Sequence, residues 1–378
     1  MYQKDDPDEV RPAIIGIGNA VPKYRQAQSQ IFDLITTRFG LNRVQQRILK
    51  AVYREAGIEY RYSVLEDFGK GNENLTFFPN KSTDGFPSTE KRMKVYKENA
   101  LNLALEAVRD CFAPFRDFAK KSITHLITVS CTGMSAPGLD IELVKSLKLP
   151  EGTHRTTINF MGCYGLFNGM KMAHAICRGD EHATVLVVSV EMCTIHFQNN
   201  FSLDNLVSST IFSDGAGAVL IGRGKGSGKR FSFDDFCCAL LPESECEMTW
   251  EIGNEGFDIR LSSYVPSLIE KGIDGFVKKL LERKLFEIKD IEYFAIHPGA
   301  KKILEVCEEA LSIKREENRF SYEVLSEYGN MSSATIAFVL KRIWESVGSA
   351  DNQKNIFSCA FGPGLTLEAM LLKIHVEK

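Results

Sequence analysis

The chain repeats itself. A helical stretch at 91–111 (KRMKVYKENALNLALEAVRDC) stops before Pro114 and is followed by the apolar run 123–130 (ITHLITVS), ended by the turn CTGMSAPG. The same order returns downstream, with a helical stretch at 268–287 and then 291–297 (IEYFAIH), ended by Pro298-Gly299. Apolar runs of this length between turn residues read as buried strands. Each half then carries an apolar helix, 162–177 (GCYGLFNGMKMAHAIC) and 330–347 (NMSSATIAFVLKRIWESV). Two more strands follow each helix: 185–191 and 214–222 in the first half, 355–362 and 365–374 in the second. Cys163 lies 40 residues beyond the strand start at Ile123, and Asn330 lies 39 beyond Ile291. Spacing kept this closely marks an internal duplication.

Such a chain is α/β, with the two apolar helices packed against each other, because a helix apolar nearly all round is a buried one. The expected halves are 1–224 and 225–378. Their joint is GRGKGSGKR (222–230). It lacks the GxxxxGK[ST] spacing of a phosphate loop and reads as a flexible connector.

Composition narrows the function classes. The chain has 46 Lys+Arg against 49 Asp+Glu, a net charge of −3, so nothing electrostatic points to nucleic acid or an anionic membrane. No apolar run reaches the roughly 18 residues of a membrane span. The polar, acidic start MYQKDDPDEV is unlike a secretory signal, so the chain reads as cytoplasmic. The ten cysteines include no CxxC pair. Neither a disulfide framework nor a metal site is expected, and most thiols should be buried and reduced.

One cysteine stands out. Cys163 follows Met161-Gly162 at one apolar helix start, and Asn330 follows Tyr328-Gly329 at the other. A helix N-terminus stabilises a thiolate. Alone, Cys163 reads as a small core residue. His297 changes that reading: it ends a strand, where open α/β sheets place their sites, one helix ahead of Asn330. Cysteine, histidine and asparagine together supply a nucleophile, a base or cation beside it, and an amide donor.

These residues resemble those of the type III polyketide synthases, the chalcone synthase-like enzymes, over nearly the whole chain. The motifs are NFMGCYG (159–165), IFSDGAGAV (211–219), AIHPGAKKIL (295–304), YGNMSSA (328–334) and CAFGPGLTLE (359–368). The resemblance implies a duplicated thiolase fold, layered α-β-α-β-α around two central buried helices. It also implies decarboxylative Claisen condensation of an acyl-CoA starter with malonyl-CoA. The iterative product would be a pyrone, resorcinol or related small polyketide. Cys163 would carry the acyl group, with His297 as its ion-pair partner, and His297 and Asn330 would donate to the developing oxyanion. Coenzyme A thioesters are the substrates, with no tightly bound cofactor and no metal. The resemblance further implies a homodimer, for which the apolar segment 136–144 (APGLDIELV) is the sequence's own support.

Carried over residue by residue, Phe212 matches a gatekeeper phenylalanine at the inner end of the coenzyme A tunnel. Ile259 replaces the second gatekeeper phenylalanine. Cys131, Cys193 and His196 stand where plant enzymes carry threonines. Ser332 is retained, and Pro363 falls in the fifth motif. Trp250 aligns with a small residue of the cavity wall. Ala136 replaces a methionine that one subunit inserts into its neighbour, and Ala360 replaces a glycine. Arg47, Lys50 and Arg54 match a basic triad that binds coenzyme A phosphates, or else form a solvated basic face, since their spacing puts them on one side of a helix. Two other readings use the same residue types. A single-turn ketoacyl synthase of the fatty-acid type fits NMSSAT and FGPGLTLE, but GCYG, IFSDGAGAV and Phe212 favour the polyketide enzymes. A papain-like hydrolase needs a CGSCW signature that is missing.

Overall fold

The computed structural model describes residues 11–38, 40–70, 74–80, 85–115, 120–198, 202–223, 228–242 and 244–376. The acidic start, residues 224–227 of the connector and with them the expected boundary at 224/225 lie outside the described residues. The first run of elements is β1 (Pro12–Ala20), β2 (Tyr24–Ala27), α1 (Gln28–Arg38), α2 (Arg43–Glu55), β3 (Tyr60–Ser63), α3 (Thr89–Phe112), β4 (His125–Ser130), α4 (Leu139–Leu147), β5 (His154–Asn159), α5 (Gly165–Gly179), β6 (Thr184–Met192), α6 (Leu203–Ile211) and β7 (Asp214–Arg223). The second is β8 (Lys229–Leu240), β9 (Met248–Gly253), β10 (Gly256–Leu261), α7 (Val265–Glu282), β11 (Tyr293–Ile296), α8 (Lys301–Leu311), α9 (Arg319–Tyr328), α10 (Thr335–Ser346), β12 (Asn355–Gly362) and β13 (Thr366–Val376).

Nine strands form one sheet in the order β11-β12-β13-β8-β1-β7-β6-β4-β5. Its two wings repeat the same pairings. β1, β7 and β6 are successively antiparallel, and β4 is parallel to β6. β8, β13 and β12 are likewise antiparallel, and β11 is parallel to β12. The wings join at β1–β8 through Ala13↔Ser232 and Ile14↔Phe231. In chain order, α9 takes the place in the second half that β5 holds in the first.

The strands β1, β4, β6, β7, β12 and β13 are largely buried on both faces, so most of them read as apolar runs. Val185 and Val187 of β6 face the middle layer with Phe167 and Met170 of α5 and Ile336 and Leu340 of α10. Leu186 and Val188 face the opposite way, against Ala104 and Ala107 of α3. On the other wing, Phe357 and Leu371 meet Ile273 and Leu280 of α7. The result is the five-layered duplicated thiolase fold. Two details differ from the sequence reading. The central helices are enclosed only in their first turns, and Arg178 and Glu345 near their ends are exposed. α7 runs 265–282, not 268–287: Pro266 fits its first turn, where a missing N–H costs nothing, and Phe286 N–H closes its end on Leu281 O at 3.0 Å.

Candidate active site

Each half delivers its chemistry through a strained turn. After β5, Phe160 (φ 58°) and Gly162 (φ 70°) take left-handed conformations, and Cys163 sits in a 3₁₀ turn, Gly162–Tyr164, that leads into α5. Glycine is required here, since a Cβ on residue 162 would stand 2.4 Å from Pro363 Cδ. In the second half, Gly329 (φ 69°) and Ser332 (φ 48°) flank Asn330, and the 3₁₀ turn Ser332–Ala334 leads into α10. Cys163 and Asn330 therefore stand one 3₁₀ turn ahead of the α-helices, not at their first residues. Strain of this kind concentrates at functional sites.

The turns meet. Cys163 Sγ lies 3.9 Å from both Oδ1 and Nδ2 of Asn330. The amide is oriented by its other bonds: Oδ1 accepts from Ser332 N–H at 2.8 Å, and Nδ2 donates to Gly299 O at 3.1 Å. Gly299 belongs to the turn after β11 that also carries His297. The His297 backbone N–H donates to Cys359 O at 2.8 Å. Its ring is buried, and neither ring nitrogen has a hydrogen-bond partner. Burial pushes the Cys163 thiol up to about 12, against the pull of the Ser332 and Asn330 side chains, and pushes the His297 imidazole down to about 3. Desolvation favours the neutral form of each group and so works against the expected ion pair.

A cavity of about 240 Å³ brings Cys163, His297 and Asn330 together with Phe212, Ile259, Cys131, Cys193, Trp250, Ser332 and Pro363. Val265, Ile269 and Ile303 line its walls, and the exposed Ser263 and Lys302 stand at its mouth. His196 is not part of this wall. It lies behind Trp250, beside a smaller chamber of about 40 Å³, with both ring nitrogens bonded to backbone. Arg47, Lys50 and Arg54 share the exposed face of α2 and do not line the cavity; α2 packs on α6, whose Val207 and Ile211 do. Ala136 is exposed on the loop before α4, and Ala360 is buried in β12.

Glu191 was not singled out in the sequence. It is fully buried behind the cavity-lining Cys131 and Thr132, accepting from Cys131 N–H at 3.0 Å, from Thr132 Oγ1 at 2.8 Å and from Ser333 Oγ. Burial raises its carboxyl to about 7, and these donors hold it from rising further. A carboxylate at the end of the apolar run VLVVSVE was the available signal. Among the described residues no group of three or more His, Cys, Asp or Glu is placed to hold a metal ion.

Comparison with known families decides the assignment. The family models for the chalcone and stilbene synthases match residues 4–225 (N-terminal domain) and 236–375 (C-terminal domain). The chain belongs to the chalcone and stilbene synthase family. It is therefore an acyltransferase of the type III polyketide synthase class. It is 27% identical to "Type III polyketide synthase C" of Arabidopsis thaliana, over 96% of this chain and 95% of that one. It is 29% identical to "Alpha-pyrone synthesis polyketide synthase-like Pks18" of Mycobacterium tuberculosis, over 96% and 91%. The chain spans 11% of the length of "Probable polyketide synthase 1" of Dictyostelium discoideum, at 29% identity over 95% of this chain. The crystal structure of PKS-I from the brown alga Ectocarpus siliculosus superposes with a TM-score of 0.89 at 27% identity, covering 98% of this type III synthase and 100% of that one. As in the sequence reading, the single-turn ketoacyl synthase is not favoured. No described helix is long and apolar enough to cross a membrane.

Proposed function

We propose that this type III polyketide synthase loads an acyl group from a coenzyme A thioester onto Cys163 and extends it with malonyl-CoA. The observation that carries the reading is the Cys163 sulfur facing the Asn330 amide at 3.9 Å, in one cavity with a His297 ring whose nitrogens are unpaired. As Cys163 attacks the starter thioester, its proton passes to His297 and on to the departing coenzyme A sulfur. The carbonyl–sulfur bond to coenzyme A breaks as that to Cys163 forms. Malonyl-CoA then loses carbon dioxide. The enolate oxygen accepts from Asn330 Nδ2–H and from the N–H that the neutral His297 ring retains. The enolate carbon attacks the acyl group, and Cys163 leaves as a thiolate. Donors preset for developing negative charge are the largest part of such catalysis. Phe212 and Ile259 supply an apolar wall that disfavours the malonyl carboxylate.

On this reading Arg47, Lys50 and Arg54, with Lys302 at the mouth, hold the coenzyme A phosphates. The halves divide at 224/225, and the working form is a cytoplasmic homodimer. Ten free thiols suit a reducing compartment. Sedimentation at micromolar protein tests the dimer, and an active monomer contradicts it. For the chemistry, the protein is incubated with radiolabelled acyl-CoA and the labelled peptide mapped. Label on the Cys163 peptide, lost in Cys163→Ala, is expected; label persisting in the variant overturns the assignment.

A further inference from the structure

β9 and β10 form a ribbon paired only to itself in the described structure, and it carries two of the cavity's walls. Trp250 and Ile259 face each other across it in register. With Phe212 and Cys193, they also separate the main cavity from the smaller chamber. A two-stranded ribbon is marginal on its own, so its position must come from outside contacts. At its tip, Gly256 N–H donates to Thr89 Oγ1 at 2.9 Å, and Arg92 packs against Gly256. These contacts hold the turn but not the Trp250 ring, three residues or roughly 10 Å further along the ribbon.

The ring is held elsewhere. Trp250 Nε1–H donates to Cys131 O at 2.6 Å. The next carbonyl of the same turn, Thr132 O, accepts from His196 Nε2–H at 2.7 Å. His196 Nδ1 in turn accepts from Phe257 N–H of β10 at 3.0 Å. A carbonyl on one side and an N–H on the other leave one form that satisfies both: the neutral ring with its proton on Nε2. The imidazole stacks on Phe257 at 4.3 Å and meets the Trp250 indole edge-on at 5.6 Å. Cys131 also accepts Gly162 N–H on its sulfur at 3.0 Å, so the turn that holds both rings is tied to the nucleophile's own turn.

We infer that His196 is a positioning residue, which fixes the β9–β10 ribbon so that Trp250 forms the floor of the acyl cavity and thereby limits the chain the enzyme builds. His196 touches no reacting atom; it acts through Trp250. The inference rests on the polyketide reading above, but its first test needs no turnover. Trp344, the second of the two tryptophans, lies on α10 against Phe231 and is changed to phenylalanine to leave Trp250 as the sole reporter.

In that background, His196→Ala and His196→Phe should shift Trp250 emission to the red and raise its acrylamide quenching severalfold. Phe keeps the aromatic packing and protects the fold if Ala does not, while removing both hydrogen bonds. His196→Gln, with one acceptor and one donor, should return emission and quenching toward the parent. With acyl-CoA and malonyl-CoA, Ala and Phe should shift products toward longer chains, Gln should not, and labelling of Cys163 should be unchanged in all three. Parent-like quenching in His196→Phe, or quenching in His196→Gln as high as in His196→Phe, overturns the proposal. Altered quenching with no product from any form, parent included, would instead count against the polyketide reading.

Discussion

Phe212 and Asn330 are joined by a parallel β-bridge: Asn330 N–H donates to Ile211 O at 2.8 Å, and Ser213 N–H donates to Asn330 O at 2.9 Å. The aromatic wall of the first half and the amide of the second are thus fixed by backbone. Truncating the Asn330 side chain leaves this bridge in place. Asn330→Ala should spare alkylation of Cys163 and slow decarboxylation of malonyl-CoA by about 10²–10³, the usual effect of removing one oxyanion donor. Release of labelled carbon dioxide at the parent rate would remove Asn330 from that role.

His297 is expected to act on Cys163 through charge. Burial is the chief cause that raises the thiol and lowers the imidazole, so any thiolate formed near neutral pH depends on its proton passing to His297. His297→Ala should move the pH profile of Cys163 alkylation by iodoacetamide to higher pH, with the limiting rate at high pH retained. An unmoved profile would show that His297 does not share the thiol's proton.

Glu191 sets a pH dependence of stability. Its carboxyl rises from the ordinary 4.5 to about 7, chiefly through burial. Below 4.5 the folded and unfolded states are both protonated. Between 4.5 and 7 the folded state keeps a proton that the unfolded state has lost, so this group's contribution falls as pH rises and is gone above 7. Glu191→Gln does not titrate. Its stability relative to the parent should rise across that window by on the order of 3 kcal/mol. Asp214, His196 and His297 titrate alike in both proteins and cancel in the difference. Urea denaturation at pH 4.5, 6 and 7.5 gives the comparison, and a flat difference would mean that the Glu191 carboxyl keeps its ordinary affinity for protons.

The duplication was legible because both faces of β4, β6 and β12 are buried, which writes each strand as an unbroken apolar run. Cys163, His297 and Asn330 were legible because each stands beside turn residues at a matched place in the repeat. His196 was not. A histidine after an apolar strand looks the same whether its ring faces a substrate or two backbone groups, and only the fold brings Thr132 O and Phe257 N to its nitrogens. The β9–β10 ribbon was signalled but not singled out: MTWEIG and GFDIRL each alternate apolar and polar residues, the period of a half-buried strand, but nothing in that pattern says which cavity the ribbon borders. Glu191 lay within a run read as core, where its three donors come from distant segments.

Trp250 separates a wall from a packing residue. Its ring is half-buried, lines the cavity and donates to Cys131 O at 2.6 Å. Trp250→Gly removes that bulk and leaves a backbone carbonyl without its donor. Truncating a buried tryptophan costs about 3–5 kcal/mol, and a half-buried one should fall at the lower end. If the ring is the floor of the cavity, the variant should still fold, still label at Cys163, and yield products longer by one or more two-carbon units or accept bulkier starters. Thermal stability and product mass are measured on the same sample. A variant that loses stability while making the parent's products would show that Trp250 packs the ribbon without bounding the growing chain.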